Sequence, residues 1–441
     1  MKTMKTRGRS RLIVVLASLL AYAPAPALTI EEAVSSAIER DPAVLRKVSD
    51  VHKAAGYTRE VKSDLMPQIG IEGAAGWARS ERSVDGSSAD GSDLFSRSVS
   101  LRARQLLWDG GFSWYRWEDA KQRQLATTLL EANEREIIAL EAASAYIAVR
   151  RARIQIGLAE ENLKLHQNIQ GLAKKRVDAS GSKADVDLSA ARGSLALTLL
   201  RERQLALSQA TAKYVRYMGT MPPSSLIMPS LPILSSKDAI DARANPHVIA
   251  ITHQLEAAVL AKKAVQKRYH PRFYLEGSGT LGEDVLGVKG RDNEASALIV
   301  VNWDLFDSGR KKGLIEQAIA DVEQQEALFN LTLADVNRDI DSRWADYSTA
   351  GDRIGILNDY AKQLGSTVGI YNEQFGLGSR QLLSLLDIQN EEVSARIRLT
   401  DETHDRLLVA YDLLALGGRL VTTLKSNSPS GKAVITTNPT K

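Results

Sequence analysis

Two proline-marked series, about 200 residues apart, limit what this chain can fold into more than any other feature. Asp41-Pro42 returns as Asn245-Pro246, and Pro67 follows Pro42 by 25 residues just as Pro271 follows Pro246. Pro67-Gln68-Ile69-Gly70-Ile71-Glu72-Gly73 shares Pro, Glu and Gly in register with Pro271-Arg272-Phe273-Tyr274-Leu275-Glu276-Gly277. Leu107-Trp108-Asp109-Gly110-Gly111 then answers to Leu305-Phe306-Asp307-Ser308-Gly309, with six fewer residues in the second interval. From Asp109 to Gly181 is 72 residues, and from Asp307 to Gly378 is 71. Landmarks in fixed order at near-constant offset mark a tandem duplication.

Proline is missing from Pro67 to Pro222 and again from Pro271 to Pro429. Within those spans, residues 112–176 and 310–374 carry uninterrupted helical patterning, with Ile137, Leu140, Ile147 and Ile154 on a heptad-like seam. A 60-residue helix is roughly 90 Å long, so each must lie against partner helices along its length. Gly181 and Gly378 break the pattern, and a second helix follows each, giving helical hairpins over 112–218 and 310–416.

Ahead of each helical hairpin lies strand-like alternation. Val99, Leu101 and Ala103 face one way, and Ser98, Ser100, Arg102 and Arg104 the other. Four such strands are expected, near 67–79, 96–107, 271–282 and 295–305. Strands of about 10 residues suffice to cross an outer membrane when tilted. Four strands cannot close a barrel, and open edges are not tolerated in lipid, so several copies must share one. Trp77, Trp108, Phe273, Trp303 and Phe306 fall near strand ends, where interfacial aromatics sit. At each strand-to-helix switch, Asp109 or Asp307 can cap the new helix, while Gly110 or Gly309 supplies backbone freedom.

The ends read differently. Lys2, Lys5, Arg7, Arg9 and Arg11 precede an apolar run and Ala25-Pro26-Ala27, the pattern of a signal peptide over 1–27 cleaved before Leu28. Removing five basic residues and no acid turns the formal charge of +4 into about −1, which weakens any case for nucleic-acid binding. There is no cysteine, so stability must come from packing or assembly, and no lipid-anchored N-terminus is expected. The expected organisation is a first repeat over 28–221, opened by a Thr29-Ile30-Glu31-Glu32 capping box, a linker over 222–234, a second repeat over 235–420, and a disordered tail over 421–441.

In this order and duplicated, Leu28-Thr29-Ile30-Glu31-Glu32-Ala33, Asp41-Pro42, Met66-Pro67, the two Asp-Gly turns and the two glycine loops resemble the TolC family of outer-membrane efflux and secretion channels. The resemblance spans nearly the whole chain after residue 27. It implies a membrane β-barrel joined to a long α-helical barrel, built by a homotrimer of twelve strands and twelve helical columns in outer-membrane lipid. It also implies docking to a periplasmic adaptor and to an inner-membrane ABC transporter or proton-driven pump. The loops at Gly181 and Gly378 become periplasmic tips, where the family closes its entrance with a tyrosine, an arginine and two aspartates. Arg380 and Asp387 match that set; Phe375 stands for the tyrosine, Ser384 for one aspartate, and Asp187, with Asp185 nearby, falls where the arginine's partner is placed. Trp108 and Phe306 then belong at the barrel-to-tunnel interface.

Other classes have less support. The histidines at 52, 166, 247, 253, 270 and 404 are scattered, Gly287-Val288-Lys289-Gly290 lacks phosphate-loop spacing, and no Gly-x-Ser-x-Gly elbow occurs, so no enzyme, cofactor or metal site is expected. A periplasmic coiled-coil adaptor shares the long helices but needs no repeated strand hairpin. Between cargo classes, the missing cysteine favours type I protein secretion over multidrug efflux, whose channels are often lipid-anchored.

Overall fold

The computed structural model describes residues 29–79, 83–84, 87–88, 93–177 and 182–427; the expected signal peptide, Gly181 and the end of the tail lie outside them. Helix α1 (Ile30–Arg40) opens on the capping box: Glu32 N–H donates to Thr29 Oγ1, and Thr29 N–H to a Glu32 carboxylate oxygen, both at 3.3 Å. Helix α2 (Pro42–Ser63) starts where Asp41 caps Ala43 N–H at 2.8 Å and proline sets the first helical residue. Strand β1 (Gln68–Arg79) follows, then the two-residue strands β2 (Ser83–Val84) and β3 (Ser87–Ser88), then β4 (Asp93–Trp108). Helices α3 (Phe112–Val177) and α4 (Lys183–Met218) complete the first half.

The second half repeats the series. Helix α5 (Pro246–Gln266) copies the start of α2, with Asn245 accepting from His247 N–H at 2.8 Å. Strands β5 (Arg272–Glu283) and β6 (Arg291–Asn302), helices α6 (Arg310–Gly376) and α7 (Leu382–Leu416), and a short α8 (Leu420–Asn427) follow. The strand expected over 295–305 is displaced toward the N-terminus. Asp284 N–H donates to Gly290 O at 2.7 Å and Gly290 N–H to Asp284 Oδ1 at 2.8 Å, so pairing starts at Arg291 opposite Glu283. At the other end, Trp303 leaves the ladder, its indole N–H donating to Tyr269 O at 3.0 Å.

The four long strands form one antiparallel sheet in the order β1-β4-β5-β6, with Gln68 opposite Arg104, Ser100 opposite Thr280 and Arg272 opposite Asn302. One face carries Ile69, Ile71, Val99, Leu101, Leu281 and Ile299, each at least half exposed. The other is polar: the Ser100 and Thr280 hydroxyls meet at 3.1 Å, those of Ser278 and Ser296 at 2.8 Å, and Arg102 pairs with Glu72 at 2.7 Å. A sheet that turns its apolar face outward has the inverse of a soluble domain's pattern. No single helix is long and apolar enough to cross a membrane among the described residues.

Helix α3 has 66 residues and α6 has 67, so each runs on the order of 100 Å away from the sheet. The main core gathers α1, α3, α4, α7 and α8 midway along them, around Tyr146, Ile147, Tyr214, Leu407 and Leu420. Of the expected seam on α3, Ile147 is buried and Leu140 and Ile154 pack against buried clusters, whereas Ile137 is exposed and Ile138, Ala139, Ala142 and Ala145 are buried in its place. Those alanines let neighbouring helices approach closely, which branched side chains could not. The inter-repeat linker is pinned here, since Arg153 donates to Pro223 O at 2.6 Å and Tyr146 OH to Ile227 O at 2.9 Å.

The tail expected to be disordered from 421 begins instead as α8. Leu420 and Leu424 bury one turn apart in the main core, and the Glu136 carboxylate of α3 accepts from Leu420 N–H at 3.0 Å and Val421 N–H at 3.3 Å. These two leucines outweigh the Ser/Thr-rich composition around them. Burial pushes the Glu136 carboxyl up to about 7 from its ordinary 4.5, against the pull of the two N–H donors. The folded state therefore holds an extra proton between those values, and stability present below about 4.5 is lost as pH rises through about 7. Thermal unfolding of the detergent-solubilised protein should show wild type losing up to about 3 kcal/mol between pH 5 and 8. Glu136→Gln should flatten that slope; an unchanged slope in the variant assigns the pH dependence elsewhere.

Candidate functional site

The two ends of the long helices carry the features of interest. At the sheet end, both Asp-Gly turns adopt the same geometry. Asp109 is buried, and its two carboxylate oxygens accept from Gly111 N–H at 3.0 Å and Ser113 N–H at 2.8 Å. Asp307 does the same to Gly309 at 3.3 Å and Lys311 at 3.0 Å. The turns need left-handed backbone at Gly110, Gly111, Ser308 and Gly309, with φ of 70°, 91°, 55° and 90°. A Cβ on Gly110 would also come within 2.5 Å of the His270 ring, so the position excludes side chains twice over. Trp108 packs edge-on against His270 and beside Phe273, whereas Phe306 is almost fully exposed.

At the far end, α6 stops with Gly378 at φ 80° and Ser379 N–H donating to Gln374 O at 3.0 Å. Helix α4 begins with Ser182 capping Ala184 at 3.2 Å. Between them, Ile169, Ala173, Phe375, Leu382, Leu385 and Leu386 make a separate apolar cluster. Phe375 is thus a core residue of the tip, buried under Leu382, in place of a hydroxyl donor. The aromatic that meets the arginine is Tyr371, one turn earlier: the Arg380 guanidinium lies 3.6 Å from the centre of its ring. Sequence reading missed Tyr371, although its spacing from Phe375 is that of one helical turn.

Arg380 and Asp387 are not brought together. Asp387 Oδ1 accepts from the Arg192 guanidinium of α4 at 3.0 Å, a half-exposed pair that links the two helical hairpins. Arg192 was also missed, because nothing local ties it to a residue 195 positions away. Arg380 Nε is buried and lacks a hydrogen-bond partner, and Arg380 makes no ion pair among the described residues. Asp185 and Asp187 are exposed on the first turns of α4, likewise without an ion pair among those residues. Ser384 is half-buried on the first turn of α7, and Leu377 projects into solvent at the loop. The arrangement is mechanical: a cation–π contact and one bridge hold helix ends together around an apolar plug. No grouping of three or more His, Cys, Asp or Glu side chains suited to a metal occurs among the described residues.

Comparison with known proteins fits this geometry. The model of the family described as outer membrane efflux protein matches residues 33–214 and 242–419. The chain is 26% identical over 336 residues to the outer membrane efflux protein BepC of Brucella suis, covering 73% of this chain and 72% of that one. It is 23% identical over 384 residues to the cation efflux system protein CusC of Escherichia coli strain K12, covering 83% and 82%. Among solved structures, CusC superposes with a TM-score of 0.78 at 18% identity, covering 89% of this chain and 92% of that one. The outer membrane protein VceC of Vibrio cholerae gives 0.79 at 17% identity, covering 89% and 96%. At those identities the likeness is one of fold.

The two caps should differ in weight because Asp109 is buried and Asp307 is half-exposed. Asp109→Ala is expected to cost about 1–2 kcal/mol in unfolding experiments, and Asp307→Ala less than about 1 kcal/mol. Equal losses would contradict the ranking.

Proposed function

Because the chain belongs to the outer membrane efflux protein family, we propose that it is the outer-membrane conduit of a three-part export machine, assembled as a homotrimer. The carrying observation is the sheet, whose outer face is apolar and whose edge strands β1 and β6 are unpaired. Three copies supply twelve strands, and joining β6 of one to β1 of the next leaves no edge in lipid. The long helices then continue the conduit through the periplasm to the tips, where a periplasmic adaptor and an inner-membrane transporter connect. The family and the fold are those of channel proteins, and the work done here is passage without covalent chemistry.

For the cargo, the names of the similar proteins, outer membrane efflux protein for BepC and cation efflux system protein for CusC, favour small-solute efflux as the first reading. Type I protein secretion is the second, motivated by the cysteine-free sequence. Deleting the gene separates them: efflux predicts raised susceptibility to toxic small solutes with an unchanged secretome, and secretion predicts the reverse.

In this reading the tip is the closed entrance. Arg192–Asp387 holds α4 to α7, and Arg380 stacked on Tyr371 braces the end of α6. Asp185, Asp187 and Ser384 belong to the same proposed gate, and the adaptor is proposed to dock at the tip loop of Gly378. An exposed ion pair contributes about 0–1 kcal/mol, which suits a latch that must release. Arg192→Ser and Arg380→Ser should each raise single-channel conductance in planar bilayers, and the double variant should raise it severalfold. Unchanged conductance in all three variants contradicts the latch.

A further inference from the structure

The loop joining β5 to β6, residues 284–290, carries a leucine in a backbone conformation that suits leucine badly. The two Asp284–Gly290 hydrogen bonds close its base, and inside it Gly287 N–H donates to Asp284 O at 3.2 Å and Val288 N–H to Val285 O at 3.1 Å. Asp284, Leu286, Gly287 and Gly290 all have left-handed backbone, with φ of 53°, 53°, 76° and 130°. Glycine and aspartate enter that region readily, whereas a leucine there is strained. Such a residue persists only where the surrounding contacts over-determine it.

Those contacts place the loop over one face of the sheet. Leu286 N–H donates to the Ser96 hydroxyl of β4 at 3.3 Å, and the loop also reaches β1. A Cβ on Gly282 would lie 2.4 Å from Val285 Cγ2, so glycine is needed there for the chain to fold back this closely. Ser96, Ser98 and Ser100 alternate onto one side of β4, where the Ser100 hydroxyl meets that of Thr280. Gly282 pairs with Ser98, and directly paired residues share a face. The loop therefore bends across the polar face, level with Ser96 and Ser98, instead of standing above the sheet.

What it presents there is unlike the wall beneath it. That wall carries the hydroxyls of Ser100, Thr280, Ser278 and Ser296 and the Arg102–Glu72 pair. Gly287 is buried against the sheet, but Leu286 is 77% exposed. Leu286 thus gains little burial in return for its strained backbone.

We propose that Leu286 lines a fixed apolar collar at the outer mouth of the barrel, one loop from each copy, and that this collar selects which solutes leave. The proposal rests on the trimeric channel reading, in which the polar face lines the passage and the strand ends remote from the long helices open to the exterior. A hydrophobic constriction resists hydrated ions because water withdraws from it, whereas solutes with apolar surface lose less on entering. Tip and collar then act in series: the tip admits, and Leu286 filters at the exit.

Two measurements on the full-length protein test this. The chain has no cysteine, so Leu286→Cys supplies one thiol per copy. A short bis-maleimide should link its copies into covalent dimers and trimers on denaturing gels. Leu281→Cys, on the outward face of the same strand, should give none. Single-channel conductance is then recorded in planar bilayers, in wild type and in the Arg192→Ser/Arg380→Ser background, so that the tip does not mask the exit. Leu286→Asn, which suits left-handed backbone and is polar, should raise ion conductance severalfold, and Leu286→Phe should lower it. A merely structural role would move both variants in the same direction. No links at position 286, or conductance indifferent to its side chain in both backgrounds, overturns the collar alone. Links without conductance in any variant overturn the channel reading and the collar with it.

Discussion

Backbone hydrogen bonding at the edges of one four-stranded sheet governs the rest of this molecule. Strands β1 and β6 each present a row of N–H and C=O groups with no partner in the sheet. In water such an edge is a liability; in hydrocarbon each unmet group costs several kcal/mol. The exposed isoleucines, leucines and valines on one sheet face require a lipid environment, and lipid requires closed edges. On the proposed trimer, assembly is part of the fold, and the helices inherit its consequences. Because α3 and α6 leave the sheet through matched turns capped by Asp109 and Asp307, closing the proposed barrel would also set the spacing of the helical columns.

The two ends of those columns divide the chemistry. Toward the sheet, Arg116, Arg268 and Arg272, from three elements, surround the ring of Phe112, and only Arg116 has a carboxylate partner among the described residues. Toward the tips, one ion pair, Arg192 with Asp387, crosses between helices, and an apolar cluster fills the space between. The middle is a conventional core, where tyrosines, alanines and the pinned linker tie the two repeats into one body. A rigid middle with a weakly bridged tip suits a conduit that opens at one end only.

Much of this was legible in the sequence because it rests on local chemistry. Asp41-Pro42, Asn245-Pro246 and the two Asp-Gly turns are caps and left-handed positions, and each formed where residue type demanded it. The paired long helices followed from missing proline. What could not be read were the contacts between distant elements. Arg192 with Asp387, Tyr371 under Arg380, and the arginines around Phe112 each depend on how helices pack side by side. The start of β6 moved because Asp284 and Gly290 closed their loop early, and α8 formed because two leucines found an existing core. Periodicity gives the face of an element but not its neighbour.

The central claim is that one chain supplies a third of a closed barrel. Native mass spectrometry of the detergent-solubilised protein, released from its micelle, measures this directly. The account predicts a single dominant species of three copies that persists as detergent is stripped. A stable monomer or dimer under the same conditions would contradict it, because either leaves strand edges open in lipid.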